Sequence, residues 1–199
     1  MIERLFDIAA KRALDEPGAT MLAAKENGQW RTYSCKEAWE TARKLCGGLL
    51  SLGIANQSLQ PEAQEKVAVI SPNRPEWIMT DLAVQMTGAV LTPIYPTISI
   101  AELVYVLNDA GVRILFLSNK EMYDRLKESF KDVPTLQHVY SFDKIDGVPH
   151  WQELVNKGLQ PDETIIKQIV PATLATIIYT SGTTGNPKGV MLSHIGVRL

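Results

Sequence analysis

Apolar residues at Ile2, Leu5, Phe6, Ala9, Ala13 and Leu14 recur close to helical spacing, and Pro17-Gly18 ends the run, so an amphipathic surface helix is expected to open the chain. Strand-like segments Met21 to Lys25 and Trp30 to Tyr33 then flank Asn27-Gly28, a pair suited to the positive φ angles of a two-residue hairpin turn. Ser34 stands three positions before Glu37, the spacing at which each side chain reaches the other's backbone N–H, and the helix it opens is expected to run to Leu52 and stop at Gly53. Gly47-Gly48 weakens that helix, because each glycine costs up to about 1 kcal/mol against alanine. The polar, Gln-rich stretch from Ala55 to Glu65 has no period and reads as a bland surface loop.

From Lys66 the pattern becomes regular. Short apolar runs at Lys66 to Ile70, Ala89 to Ile94, Val112 to Leu117 and Leu136 to Phe142 alternate with helical patterns. The first helix has Pro75 in its opening turn and Gly88 as its stop. The second is opened by a Ser99/Glu102 capping box and closed by Gly111. A third box, Ser118/Glu121, is expected to start a helix running to Phe130. Such βαβαβαβ alternation predicts an α/β fold, a largely parallel sheet with helices on both faces, preceded by the hairpin. Short helical segments are expected around Trp151 to Asn156 and Glu163 to Ile169. The expected organisation is one α/β subdomain over residues 1–170, with residues 171–199 beginning the next.

Composition changes this picture little. The 199 residues exceed the roughly 150 that serve as a prior for one domain, and 45% hydrophobic with 21% charged residues is ordinary globular composition. A formal net charge of -2 gives no basic footprint for nucleic acid. Charges at Glu3, Arg4, Asp7, Lys11 and Arg12 interrupt any signal-like core, and no apolar run approaches the roughly 18 residues of a membrane helix. A cytoplasmic location is therefore expected, with peripheral membrane contact and self-association left open. Cys35 and Cys46 fall about 16 Å apart along one predicted helix, too far for a disulfide, and read as packing residues.

Chemistry is concentrated in Ile177-Ile178-Tyr179-Thr180-Ser181-Gly182-Thr183-Thr184-Gly185-Asn186-Pro187-Lys188-Gly189-Val190-Met191-Leu192. Strand-like runs flank hydroxyl side chains, glycines and one lysine, a set suited to an anion: glycines let backbone N–H groups approach oxygens, hydroxyls donate, and lysine brings charge. It is not the common P-loop, which needs Gly directly before the Lys and Ser or Thr directly after it, where Pro187 and Gly189 stand in this chain. The run Val190 to Leu192 also reads as a strand instead of the helix whose dipole that motif uses.

The segment Tyr179 to Gly189 resembles, almost residue for residue, the phosphate-binding signature of the adenylate-forming superfamily of acyl-CoA synthetases, luciferases and peptide-synthetase adenylation domains. Val69-Ile70-Ser71-Pro72-Asn73-Arg74-Pro75-Glu76-Trp77 and Gly88-Ala89-Val90 look like its N-terminal subdomain, and Pro93-Ile94-Tyr95-Pro96-Thr97 looks like the long-chain fatty acyl-CoA version. The resemblance implies the truncated N-terminal region of that fold and an AMP-forming reaction: a fatty carboxylate attacks the α-phosphate of ATP, and CoA then displaces AMP from the acyl-adenylate. It also implies that Thr180, Ser181, Gly182, Thr183, Thr184, Gly185 and Lys188 cradle the β- and γ-phosphates with Mg²⁺ bridging them. No catalytic or metal-ligating side chain is assigned within these residues, and the 199 residues alone are expected to be inactive. A non-catalytic nucleotide-binding module and an adenylation domain for another carboxylic acid, such as an amino acid, stay open as alternatives. His194, His138 and His150 read as structural and Trp39 and Trp77 as packing residues, while Tyr95 stands between a structural corner and a cleft border.

Overall fold

A computed structural model describes residues 2–26, 28–54, 60–180 and 185–198. The chain opens with helix α1 (Leu5–Asp15), then the hairpin of β1 (Thr20–Glu26) and β2 (Gln29–Ser34), which forms a separate two-stranded antiparallel sheet. Gly28 has φ 80°, as the turn requires; its partner Asn27 lies outside the described residues. Helix α2 (Cys35–Leu50) is capped by Ser34, whose Oγ accepts from the Glu37 N–H at 3.1 Å. It ends two residues before the predicted Leu52, and Gly53 adopts φ 78° just beyond.

The main sheet contains β3 (Lys66–Ile70), β4 (Val90–Ile94), β5 (Val112–Leu117), β6 (His138–Ser141), β7 (Leu174–Thr180) and β8 (Lys188–Ser193), in the spatial order β6-β5-β3-β4-β7-β8. All neighbours are parallel except β7 and β8. Alternation along the strands splits the core into two layers. Val67, Val69, Ile114 and Phe116 face α2 and helix α3 (Pro75–Thr87). Ala68, Ile70, Leu115 and Leu117 face helix α4 (Ile100–Ala110) and helix α5 (Lys120–Leu126). Buried side chains surround most of α3, as befits a helix wedged between a sheet and α2. The C-caps Gly88 (φ 78°) and Gly111 (φ 69°) and the Ser99/Glu102 box stand where the sequence placed them.

Three expectations need correction. The third helix is capped by Asn119, whose Oδ1 accepts from the Met122 N–H at 2.9 Å, and not by Ser118. Ser118 directly follows β5 and is buried, with its hydroxyl on Met122 Sδ; with Ser and Asn adjacent, the half-buried Asn, whose side chain is not taken up this way, caps instead. That helix also tightens into a 3₁₀ turn over Lys127–Asp132 instead of continuing as α-helix to Phe130. The stretch read as a bland loop contains Gln64, which is 2% exposed and donates from Nε2 to the Gly88 carbonyl (2.8 Å) and the Leu174 carbonyl (2.9 Å). One amide thereby ties the start of β7 to the turn before β4.

The short helix α6 (Gln152–Asn156) and the segment between it and α7 (Glu163–Gln168) explain the glycine pair in α2. A Cβ on Gly48 would lie 2.6 Å from the Leu154 carbonyl oxygen, and one on Gly47 would collide with the Leu159 carbonyl. The glycines let α2 approach this backbone closely, so their low helix propensity is offset by packing. Gly48→Ala is expected to destabilise the protein by about 1–2 kcal/mol, an overpacking cost of about 1–3 kcal/mol less up to about 1 kcal/mol of helix propensity. A lower urea midpoint at unchanged m-value, with Gly18→Ala near wild type because nothing lies within 4 Å of its Cβ position, would show this.

Both cysteines are buried and unpaired, as expected; burial pushes the Cys46 thiol up to about 12. Among the described residues no helix is long and apolar enough to cross a membrane.

Candidate functional site

The connection after β3 runs through α3 on one face of the sheet, and the connection after β4 runs through α4 on the other. Neighbouring strands whose crossovers diverge in this way leave a crevice at their carboxyl ends, the place where open α/β sheets bind ligands. Strand β7 lies beside β4 and parallel to it: Thr176 pairs with Leu91, and its Oγ1 donates to the Leu91 carbonyl at 2.9 Å. Thr180, at the end of β7, therefore emerges at the same edge as Ile70 and Ile94.

Strands β7 and β8 are antiparallel, with Tyr179 opposite Gly189 and Thr180 opposite Lys188. The expectation that the Thr180–Lys188 segment joins two neighbouring antiparallel strands is met, and Val190 to Ser193 continue as strand. Ser181, Gly182, Thr183 and Thr184 lie outside the described residues. Gly185 has φ 111°, a conformation that a residue with a Cβ adopts only with strain. Thr180 and Lys188 are both exposed, and among the described residues the Lys188 ammonium has no hydrogen-bond or ion-pair partner. A hydroxyl and an uncommitted cation thus stand side by side at the base of the segment.

Two adjoining cavities of about 420 and 450 Å³ occupy the crevice. Pro93, Ile94, Tyr95, Ile178 and Tyr179 line both. The first also reaches Thr180 and Pro187, and the second reaches Ser71, Asn73 and Trp77 at the end of β3. Their walls are largely apolar, with polar groups near the strand ends and, in the first, Glu102 of α4. Tyr95 is 77% exposed and lines both cavities. Trp77 packs against the core as expected and also contributes to the cleft wall. Trp39 is a core-packing residue.

A larger opening, about 850 Å³, lies between the hairpin and the start of α3. No described residue of the Thr180–Lys188 segment lines it, although it shares Pro72 and Asn73 with the second cavity, and its charges are largely engaged with one another, through Arg31 with Glu26 and Arg74 with Glu76 and Asp143. Arg74 also donates to the Ser118 carbonyl at 3.3 Å, so this arginine braces the loops after β3 and β5.

His194, in the last helix α8 (His194–Arg198), is structural. It is 1% exposed, accepts at Nδ1 from the Leu5 N–H at 3.4 Å and meets the Phe6 ring edge-on at 5.5 Å. Burial, reinforced by Arg4 and opposed by Asp7, pulls its imidazole down to about 4 and keeps it neutral at pH 7. His150 is likewise occupied, with Nε2 2.8 Å from the Phe142 carbonyl. Sequence reasoning missed Asp109, whose carboxylate takes the Tyr179 hydroxyl at 2.6 Å across 70 positions. No local signal marks such a pair; only the sheet order brings α4 over β7.

Residues 9–197 match the AMP-binding enzyme family. The chain is 30% identical over 192 residues to a long-chain-fatty-acid–CoA ligase of Rattus norvegicus, covering 92% of this chain and 26% of that protein. It is 32% identical over 184 residues to a long-chain-fatty-acid–CoA ligase of Mycobacterium bovis, covering 90% and 29%. It thus spans between a quarter and a third of the length of these curated relatives. Among solved structures, the anthranilate CoA ligase AuaEII in complex with anthranoyl-AMP superposes with a TM-score of 0.78 at 20% identity, over 98% of this chain and 36% of that one. A putative long-chain-fatty-acid CoA ligase from Rhodopseudomonas palustris does so with the same TM-score at 22% identity, over 96% and 44%. These two likenesses speak to the fold, a mixed α/β architecture with a mostly parallel sheet. With the antiparallel β7–β8 pair at the carboxyl edge of that sheet and a family match over nearly its whole length, this chain belongs to the AMP-binding enzyme family.

Proposed function

We propose that the protein carrying this chain is an ATP-dependent, AMP-forming ligase for long-chain fatty acids. The fatty carboxylate attacks the α-phosphorus of ATP, pyrophosphate leaves, and the CoA thiol displaces AMP from the acyl-adenylate. The observation that carries this reading is the pairing of Thr180 with the uncommitted Lys188 at the mouth of the cleft. In this reading Thr180, Ser181, Gly182, Thr183, Thr184, Gly185 and Lys188 hold the β- and γ-phosphates, where hydroxyls, backbone amides and a cation match the charge that grows on the leaving pyrophosphate. Residues 1–170 are then the first subdomain, and residues 171–199 begin the next. The fatty-acid assignment is supported by the two ligase relatives at about 30% identity and by the apolar wall of Trp77, Ile94 and Ile178.

The donor set suits phosphate better than it suits a metal. Among the described residues no group of three or more His, Cys, Asp or Glu is gathered to hold an ion. Magnesium would reach this part of the site on the phosphate oxygens, and no step of the reaction is routed through it.

The test is to incubate the whole protein that carries this chain, purified, with ATP, Mg²⁺, palmitate and CoA. AMP and pyrophosphate should appear in equal amounts and only with palmitate present. Release of ADP and phosphate, or a strong preference for an amino acid over palmitate, would overturn the reading.

A further inference from the structure

The phenol of Tyr179 does more than line the cleft. Gly189 sits directly opposite it on β8, and a Cβ there would lie 3.1 Å from Tyr179 Cζ and 2.8 Å from Ile177 Cγ2. The Tyr179 ring therefore lies across the β8 backbone at a position only glycine leaves open. Beyond that crossing, its hydroxyl donates to Asp109 Oδ2 at 2.6 Å. Asp109 is in the last turn of α4, where an acidic side chain opposes the helix dipole at a cost of about 0.3–1 kcal/mol. Phenol donors offset that placement: besides Tyr179, Tyr105 Oη stands 3.5 Å from Asp109 Oδ1. Burial together with this hydrogen bond raises the Tyr179 hydroxyl above its ordinary value, so it remains a donor throughout the physiological range.

Position gives the contact its meaning. The ladder joining β7 to β4 pairs Leu91 with Thr176, four residues before Thr180, and the Gln64 clasp holds Leu174 at the far end of the strand. Tyr179 immediately precedes Thr180, and Gly189 immediately follows Lys188. A tether at Tyr179 thus fixes the end of β7 that the core ladder leaves behind, together with the strand paired to it. We propose that Tyr179 and Asp109 are positioning residues, a clamp between α4 and β7 that holds Thr180 and Lys188 in the geometry needed to grip a polyphosphate, with Gly189 as the gap that lets the ring through. This rests on the phosphate role proposed above for that segment.

The test compares wild type with Tyr179→Phe, Asp109→Ala, Asp109→Asn and the Tyr179→Phe/Asp109→Ala pair. KM is measured for ATP and for palmitate, and pyrophosphate affinity by calorimetry, all well below each variant's Tm. Loss of one hydrogen bond to a charged, partly exposed group is expected to raise KM for ATP and Kd for pyrophosphate by about five- to tenfold. KM for palmitate should stay within about twofold, since that contact is not altered. Asp109→Asn keeps an acceptor oxygen in place and should recover most of the loss. The double variant should be no worse than either single one, as expected for partners in one contact. Variants that lose Tm but bind pyrophosphate as wild type does would reduce the pair to a purely structural contact and overturn the clamp alone. A wild-type protein that binds no pyrophosphate would overturn the phosphate role and the clamp with it.

Discussion

Lys188→Ala is expected to lower ATP-dependent adenylate formation by about tenfold to more than a hundredfold, corresponding to the roughly 1.5–3 kcal/mol of a hydrogen bond to a charged group. The loss should appear as lost transition-state stabilisation, because the ammonium meets charge that grows on the departing pyrophosphate. The fold should be unaffected. Lys188 is exposed, its side chain has no partner among the described residues, and its backbone pairing with Thr180 is kept by alanine. An unchanged thermal midpoint and an unchanged KM for palmitate would accompany the loss. Lys188→Arg retains the positive charge on a longer, planar group and should fall between the two. A folded Lys188→Ala protein that makes adenylate at the wild-type rate would remove this lysine from the mechanism.

The elements that the sequence announced share a physical property: their signals are local. Ser34, Ser99, Gly88 and Gly111 mark helix ends because the orphan N–H and C=O groups there must be met within a few residues, and each is found in that role. The antiparallel pair around the Gly/Ser/Thr segment was legible for the same reason, through two short apolar runs with no helical period after the second. Where two local signals compete, the spacing alone points to the wrong one: Ser118 and Asn119 both qualify as caps, and burial at the end of β5 decides for Asn119.

What stayed hidden is set by tertiary approach. Gly47 and Gly48 read as a weakness of α2 until the Leu154 and Leu159 carbonyls occupy the space beside them. Gln64 read as loop polarity until its amide meets two distant carbonyls, that of Gly88 at the end of α3 and that of Leu174 in β7. The crevice itself depends on the strand order β5-β3-β4-β7 and on α3 and α4 taking opposite faces. The alternation of strands and helices predicts that some such crevice exists, but not which strand ends border it.

A polypeptide limited to residues 1–199 is expected to form no palmitate-dependent AMP, the largest effect anticipated for this protein. Its described residues offer a hydroxyl and a cation for the departing phosphates and an apolar cleft beside them. They gather no group of three or more His, Cys, Asp or Glu that would hold a metal. Holding the attacking carboxylate, the α-phosphorus and the leaving oxygen in line can supply about 7–11 kcal/mol of a barrier, and a segment that grips only the leaving group cannot provide that alignment. The same polypeptide should self-associate. Strand β8 ends the sheet order, and Ile178, Val190 and Met191 on the β7–β8 pair are 37%, 45% and 62% exposed, an open edge carrying apolar side chains. The assay follows AMP and pyrophosphate from residues 1–199 with ATP, Mg²⁺, palmitate and CoA, beside a ligase of the length of the curated relatives as positive control. Light scattering on the same sample reports association. Sustained palmitate-dependent AMP release that survives removal of contaminating ligase would place the alignment of carboxylate, α-phosphorus and leaving oxygen within these residues, and the leaving-group grip would then be only one part of a complete centre.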